Sequence, residues 1–402
     1  MNNRRFPERP ILIVDDEEQA LQSFEVVLTG ETKKTTVRKG AATSLSDYCV
    51  PIRTGHGAIQ ELLDMEPKLD YIFVPHLVSY DHRNTQTNPY ACLWTQCFPI
   101  ALKEAFDFEG RGVTLLDPIA EFSRKPSKMH ELINGLAHDL VLPKRVVRRA
   151  LARGFRVMHH TRHQIRELGQ KALSEHGPDN PAFLVIGRPY NSCDPGLSLD
   201  IATKLGRIGH AAIPMDFLPL EDLPLVEDQW NMYWKNGERI LSAFKFASEN
   251  EWLIPVWITN FGCGPDSFIR KQAKHVMGDR PYLELELDEH TADAGVITRV
   301  EAFYDSYRNT LQFVRDRAAA GHTRSTHRHE ISGKEVGTGR IMAFCHMDDA
   351  AFALAALFRS RGLDAVVMPR TTSESLALGK RYSSGKECVP YQSTLGDKLH
   401  FL

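Results

Sequence analysis

The 402-residue sequence contains no hydrophobic run that approaches the ~20 residues needed to span a membrane. Its N-terminus, MNNRRFPERP, is not followed by the apolar segment and cleavage site of a secretory signal. Charge of one sign is not in excess either, since 49 Lys and Arg stand against 51 Asp and Glu. These absences predict a cytoplasmic protein with no membrane contact and no nucleic-acid partner.

Cysteine is sparse and irregularly placed, with seven residues and no compact Cys-x-x-Cys pair. An odd number of widely spaced cysteines in a large chain without a secretion signal argues against a disulfide framework. Metal binding, catalysis and simple burial remain open for them. The sequence also lacks a Gly-x-Gly-x-x-Gly or Walker motif, so it does not predict a nucleotide site.

The segment around Cys263 is the most informative part of the chain. An apolar run, Leu253 to Ile258, is typical of a buried strand, and a Gly-Cys-Gly-Pro-Asp corner follows it. We predict a helix from Ser267, with Asp266 as its cap. Cys263 would then lie at the carboxyl end of a strand and beside a helix N-terminus, where a thiolate is favoured. A small residue packed in a turn is the alternative.

The remaining chain alternates between strand and helix patterns. Residues 181–220 predict a βαβ unit with a parallel sheet, and Arg188 and Tyr190 at the strand end either face an anionic substrate group or brace the loop. Residues 111–180 are expected to be mostly helical, with solvated basic residues and a histidine-rich surface. The basic and histidine residues are Lys144, Arg145, Arg148, Arg149, Arg153, His159, His160 and His163.

Residues 11–28 resemble the opening of a response-regulator receiver, in which paired acids such as Asp15 and Asp16 help to hold magnesium. A receiver also needs a phospho-acceptor at the end of a later strand, but Asp70 precedes the strand YIFVP. We therefore predict a receiver-like βα fragment over residues 1–40 that does not act as a phospho-receiver.

Five longer motifs carry a family resemblance over residues 41 to about 309: DYCVPIRTGHG, YIFVP, IGRPYN followed by DPG, NFGCGPDSF, and DEHTADAGVITRVEAF. They resemble the 2-hydroxyacyl-CoA dehydratase superfamily, and most closely its acyl-CoA dehydratase activase-related proteins. The pattern SGKECVPYQSTLGD resembles the next segment of those proteins and repeats the Cys-Val-Pro found at residues 49–51.

The resemblance implies flavodoxin-like α/β domains with parallel sheets. After the receiver-like fragment we expect a first cluster-binding domain at 41–180, a second α/β domain at 181–317 and a linker at 318–339. Residues 340–402 are expected to begin a further α/β module that is incomplete.

The resemblance also implies an iron–sulfur cluster of the 4Fe–4S or double-cubane type. Its ligands would be Cys49, Cys92, Cys263 and Cys388. Soft thiolates select iron–sulfur clusters or zinc, so a structural zinc site is an alternative. The other cysteines, Cys97, Cys193 and Cys345, are interpreted as packing residues. Glu286, Asp288, Glu289 and His290 would assist proton transfer or form a salt-bridged corner.

By the same resemblance, the chain would be an electron-transfer or dehydratase-like component that works with an ATP-dependent activase. The substrate would be an acyl-CoA or a similarly hard-to-reduce compound, and the reaction that of a lyase or a reductase. A homodimer is left open. The alternative hypothesis is a truncated, non-catalytic scaffold or regulatory protein without a cluster, because activase domains are missing upstream and the last module is short.

Overall fold

The computed structural model describes residues 29–402 except 67, 82–87, 123–125, 208, 221–231, 289, 292, 320–340 and 384–386. Asp15, Asp16 and Glu289 lie outside the described residues, as does nearly all of the predicted linker. The chain divides into two compact units. The first takes the described residues up to Pro265 together with Gln272–Val314, and the second takes Asp266–Lys271 and Arg315–Leu402.

The part of the first unit before residue 180 combines helices with two short pairs of parallel strands. Its elements are α1 (Lys34–Thr43), α2 (Val50–Leu63), β1 (Tyr71–Phe73), β2 (His76–Ser79), α3 (Leu93–Ala105), β3 (Thr114–Leu116), β4 (Ile119–Glu121), α4 (Pro126–Asp139) and α5 (Lys144–Ser174). β1 pairs with β3 and β2 with β4. The expectation of mostly helix after residue 111 misses β3 and β4, because three-residue strands are too short to show alternation.

The remainder of the first unit forms a four-stranded parallel sheet. Its elements are β5 (Ala182–Gly187), α6 (Pro189–Cys193), α7 (Ile201–Arg207), β6 (Ala212–Pro214), a 3₁₀ turn (Met215–Phe217), α8 (Lys235–Glu249), β7 (Leu253–Asn260), α9 (Gly264–Met277), β8 (Leu283–Leu287) and α10 (Asp293–Ala319). The strand order is β6-β5-β7-β8. In chain order this is 2-1-3-4, the start of a flavodoxin-like sheet.

The two central strands of this sheet are covered on both faces. Every residue of β5 and β7 is buried, which explains why both read as continuous apolar runs. On one face, Tyr307 of α10 belongs to the same apolar cluster as Phe183 and Val256. On the other, Phe244 of α8 packs edge-on against Trp257 with ring centroids 5.5 Å apart. β5 pairs in parallel with β6 across α6 and α7, which confirms the predicted βαβ unit.

The second unit contains β9 (Met342–Phe344), α11 (Ala350–Ser360), β10 (Ala365–Val367), α12 (Ser373–Arg381) and α13 (Val389–Phe401). β9 and β10 pair in parallel across α11, so this region is a further α/β segment, as predicted. The predicted fold class, flavodoxin-like α/β with parallel sheets, is confirmed. Within the part of the chain that the structure describes, none of the helices has the length and hydropathy to cross a bilayer.

Candidate functional site

The four cysteines singled out by sequence share one structural position. Cys49, Cys92, Cys263 and Cys388 are the N-cap residues of α2, α3, α9 and α13, each with extended backbone angles. Except before α3, a proline follows in the first two helical positions, where its missing N–H costs nothing. Each thiol thus lies at a helix N-terminus, where the helix dipole stabilises negative charge on the sulfur.

The other three cysteines occupy different positions. Cys97 lies inside α3, Cys193 is the last residue of α6, and Cys345 follows β9. Cys193 is exposed, so it does not pack in the core. Partial burial of its sulfur and the nearby Asp216 carboxylate raise the pKa of the Cys193 thiol, despite a hydrogen bond from Ser192. The four candidate ligands are therefore all helix N-cap residues, and the other three cysteines are not.

The helix after Cys263 begins earlier than the sequence predicted. α9 starts at Gly264 instead of Ser267, and Cys263 itself is the N-cap residue. Asp266 lies in the first helical turn and is only 1% exposed, so the prediction that it caps the helix is wrong. Gly262 has φ 76°, a left-handed conformation that glycine adopts without strain, and this turn directs the chain from β7 into α9.

Cys263 lies at the point where the order of the sheet reverses. The chain leaves β5 for β6 on one side and returns to β7 on the other, so the carboxyl ends of β5 and β7 border a topological switch point. Arg188 directly follows β5, and the Cys263 amide donates to the carbonyl of Asn260, the last residue of β7, at 3.0 Å. Arg188 is only 2% exposed, so its side chain is buried at this edge of the sheet.

Cys92 is connected to the same edge through Tyr80. Burial raises the pKa of the Tyr80 phenol, the Arg188 guanidinium and a hydrogen bond with Asn236 oppose that shift, and Cys92 adds to it. The segment before Cys92 is held to the start of α8, because the Lys235 amide donates to the Tyr90 carbonyl at 3.1 Å. Cys92 and Arg188 therefore both lie within electrostatic reach of Tyr80.

Cys49 is connected to Cys92 by aromatic contacts. The ring of Tyr48 meets Trp94 edge-on with centroids 4.7 Å apart, and it stacks on His56 at 5.5 Å. The Cys92 sulfur lies 3.1 Å from the hydroxyl of Thr95 one turn into α3. The N-termini of α2 and α3, with their two thiols, are thus neighbours.

These contacts do not amount to an assembled metal site. Among the described residues, no group of three or more His, Cys, Asp or Glu side chains is placed to hold a metal ion. Cys49 and Cys92 are neighbours through the aromatic contacts, Cys263 lies at the switch-point edge of the same unit, and Cys388 belongs to the second unit. The chemistry of the donors fits an iron–sulfur cluster, because all four are soft thiols beside helix N-termini.

The polar group after β8 has a structural arrangement. The Asp288 carboxylate accepts from the Thr291 hydroxyl at 2.7 Å and from the His290 amide at 3.0 Å. The hydrogen bond from Thr291 holds the pKa of Asp288 below its usual range, and the His290 amide adds to this effect. These hydrogen bonds hold the Asp288 carboxylate in place within the turn after β8.

The Cys-Val-Pro repeat is part of a longer structural repeat that the sequence analysis missed. α1–α2 and α12–α13 are both helical hairpins, with the cysteine as the N-cap of the second helix. Gly40 and Gly57 let the first pair approach closely, and Gly379 and Gly396 do the same in the second pair. The first glycine, the cysteine and the second glycine have the same spacing in both hairpins. The sequence pattern Gly-x₈-Cys-x₇-Gly could therefore have revealed the structural repeat.

His56 lies beneath the Cys49 loop and is fully buried. Its Nδ1 donates to the Ile52 carbonyl at 3.0 Å, which leaves Nε2 as an acceptor with no hydrogen-bond partner among the described residues. Phe98 lies edge-on to the imidazole with centroids 5.4 Å apart. Burial lowers the pKa of His56, although the Ile52 carbonyl opposes the shift. The fold therefore stabilises the neutral imidazole.

We expect the first unit to lose stability in acid through His56. The unfolded chain takes up a proton below pH 6.5 and the folded chain does so only at a lower pH, so each pH unit in that window removes up to about 1.4 kcal/mol. His56→Asn should reduce the loss of stability between pH 7.5 and 5.5, measured by urea unfolding at both pH values. His160→Asn, at an exposed site on α5, should leave it unchanged. Equal pH dependence in wild type and His56→Asn would contradict the assignment.

The fold and these positions define a class: flavodoxin-like α/β proteins that carry thiols at the switch-point edge of the sheet. Residues 21–218, just under half of the chain, match the family described as CoA enzyme activase uncharacterised domain (DUF2229). The matched part contains Cys49, Cys92 and β5, and it ends before Cys263 and Cys388. It supports an activase-related family for this region. The comparison with curated proteins gives no match.

Proposed function

We propose that the protein is an iron–sulfur component of an activase-dependent system that acts on an acyl-CoA or a similarly hard-to-reduce substrate. The observation that carries this proposal is the shared N-cap position of Cys49, Cys92, Cys263 and Cys388. If these four cysteines were only small packing residues, we would not expect all of them to be helix N-cap residues. Zinc would also accept thiolates, so the metal is the first quantity to measure.

Three of these thiols would hold one cluster at the edge of the four-stranded sheet. Cys49, Cys92 and Cys263 belong to the first unit, and the helix N-termini beside them offset the negative charge of a thiolate set. Fewer than four protein ligands would leave a position for another ligand or for substrate. A bound cluster would supply one-electron chemistry at low potential.

The side chains between the thiols would control what reaches the cluster. Arg188 places a positive charge at the carboxyl end of β5, and the raised pKa of Tyr80 keeps its phenol protonated beside it. A guanidinium and a phenolic O–H are both donors, so this edge suits an anionic or carbonyl group. The match to a CoA enzyme activase domain supports the choice of an activase as partner.

The test is iron and acid-labile sulfide per chain in protein purified without oxygen. We expect stoichiometric iron and sulfide with broad visible absorption. Cys263→Ser should remove most of this absorption, and Cys345→Ser, the matched control, should retain it.

Three results would count against the proposal. Zinc in place of iron would indicate a structural zinc site. Folded protein with neither metal would favour the non-catalytic scaffold. Equal iron content in Cys263→Ser and Cys345→Ser would show that the ligands are wrongly assigned.

A further inference from the structure

The helix α5 concentrates positive charge in a chain whose net charge is −2. Its 31 residues contain nine Lys and Arg but a single acid, Glu167. At 1.5 Å per residue the helix is roughly 46 Å long. Such a concentration of positive charge makes α5 a candidate surface for an anionic partner.

The charges occupy the side of α5 that faces solvent. Residues three, four or seven apart share a helix face. By this spacing, an exposed basic stripe is formed by Arg145, Arg148, Arg149, Arg156, His159 and His163. The buried residues of α5 lie on the opposite side, where Val147 packs against α4 and Gly169 meets the backbone of Phe217. The two histidines of the stripe lie near acids: Asp81 lies 3.8 Å from His159, and Glu167 lies 3.6 Å from His163.

Three classes of anionic partner could cover such a stripe. Single-stranded nucleic acid needs exposed aromatic rings for stacking, but the aromatic ring of α5, Phe155, packs edge-on against Phe122. A membrane surface needs an exposed apolar face on the same helix, and only Val157 and Leu168 are exposed large hydrophobics there. An acidic protein face requires neither, and arginine-rich stripes pair well with carboxylates.

The stripe also runs beside the proposed cluster edge. His159 contacts Asp81, whose neighbour Tyr80 lies within electrostatic reach of both Cys92 and Arg188. A protein bound along α5 would thus be held next to the Cys92 loop. Electrostatically steered, short-lived contacts are typical of electron-transfer partners.

We propose that the basic stripe of α5 is a docking surface for the acidic face of a partner protein. The role of that partner as the electron donor rests on the proposed function, whereas the docking surface does not.

The probe is a fluorescent, helical peptide of about 20 residues with Glu along one face, since one helix face is the simplest acidic surface that fits another. The full chain should bind it in a salt-dependent manner. Charge reversal by Arg145→Glu, Arg148→Glu and Arg156→Glu together should weaken binding by roughly tenfold or more. The matched control carries Arg359→Glu, Arg361→Glu and Lys380→Glu, which change net charge equally on exposed sites of the second unit. It should bind like the wild type.

Competition experiments separate the partner classes. Single-stranded DNA and vesicles with anionic lipid, at equal charge concentration, should displace the peptide less well than unlabelled peptide does. Stronger displacement by either, equal weakening in both triple variants, or no measurable peptide binding would overturn the proposal. If the charge-reversal variant unfolds, the double variant Arg148→Gln with Arg156→Gln removes two positive charges without adding negative ones and tests the same surface. Peptide binding does not require metal, so its failure and the failure of the cluster proposal are independent.

Discussion

Gly57→Ala is expected to lower the free energy of unfolding of the first unit by about 3 kcal/mol or more. A Cβ at this position would overlap the backbone carbonyl oxygen of Thr36 on the facing helix α1. Backbone atoms cannot move aside as a side chain does, so the two helices would have to separate. The separation would also displace the N-terminus of α2 and with it Cys49.

The matched control is Gly154→Ala, in the middle of α5. No atom lies within 4 Å of a Cβ at that position, so alanine gains helix propensity without a clash. We expect a rise of about 0.5 to 1 kcal/mol. Urea unfolding followed by tryptophan fluorescence reports this unit, because all five tryptophans precede Pro265. A loss below about 1 kcal/mol for Gly57→Ala would contradict the close helix approach.

The sequence predicted best those elements whose residues face one environment throughout. β5 and β7 are buried on both sides, so their apolar runs are unbroken and their lengths are clear. The corner around Cys263 was recognisable because Gly262 and Pro265 each have a specific backbone role. The position of Cys263 and the sheet edge were therefore predictable from local patterns, whereas Cys49, Cys92 and Cys388 were singled out by the family resemblance.

What could not be predicted depends on contacts between distant parts of the chain. Tyr80 meets Arg188 and Asn236 only after the β2 segment packs on the four-stranded unit, and no local pattern encodes that. The close approach of α1 and α2 depends on Gly40 and Gly57, which in sequence look like two poor helix residues. A contact between two single residues that are far apart in the chain produces no pattern that can be recognised in one sequence.

The repeated hairpin shows how the fold presents its thiols. In both copies each helix has a glycine where a Cβ would collide with the backbone of the facing helix. The absence of these Cβ atoms lets the two helices pack at short distance. The cysteine at the N-cap of the second helix is then fixed relative to the first helix. Thr36 and Ser375, at equivalent positions, are both buried and supply the carbonyl that a Cβ on Gly57 or Gly396 would meet. The device places Cys49 and Cys388 by backbone contact, which is more rigid than side-chain packing.

Arg280→Ala is expected to destabilise the first unit by about 4 kcal/mol, comparable with the loss of a partner from a buried ion pair. The Arg280 side chain is 8% exposed and also donates to the Tyr307 hydroxyl at 2.8 Å. It reaches the end of α8 and the turn into β7, where it donates to the backbone carbonyls of Ala247, Asn250, Glu251 and Leu253. Removal would leave several carbonyls at the start of β7 without a donor, in a place that water reaches poorly.

Two control variants separate the effect of the guanidinium hydrogen bonds of Arg280 from the effect of its positive charge. Arg280→Lys keeps the charge but cannot reach the carbonyls together, so it should recover less than half of the lost stability. Arg299→Ala removes an exposed arginine that donates to the Glu284 carbonyl at 2.7 Å, and it should cost under about 1 kcal/mol. Urea unfolding by tryptophan fluorescence gives all three values. Equal stability of Arg280→Ala and Arg299→Ala would show that these carbonyls find water instead, and full recovery by lysine would show that charge alone is needed. In the expected case, Arg280 ties α8, β7 and α10 together and so fixes the strand from which Cys263 is presented.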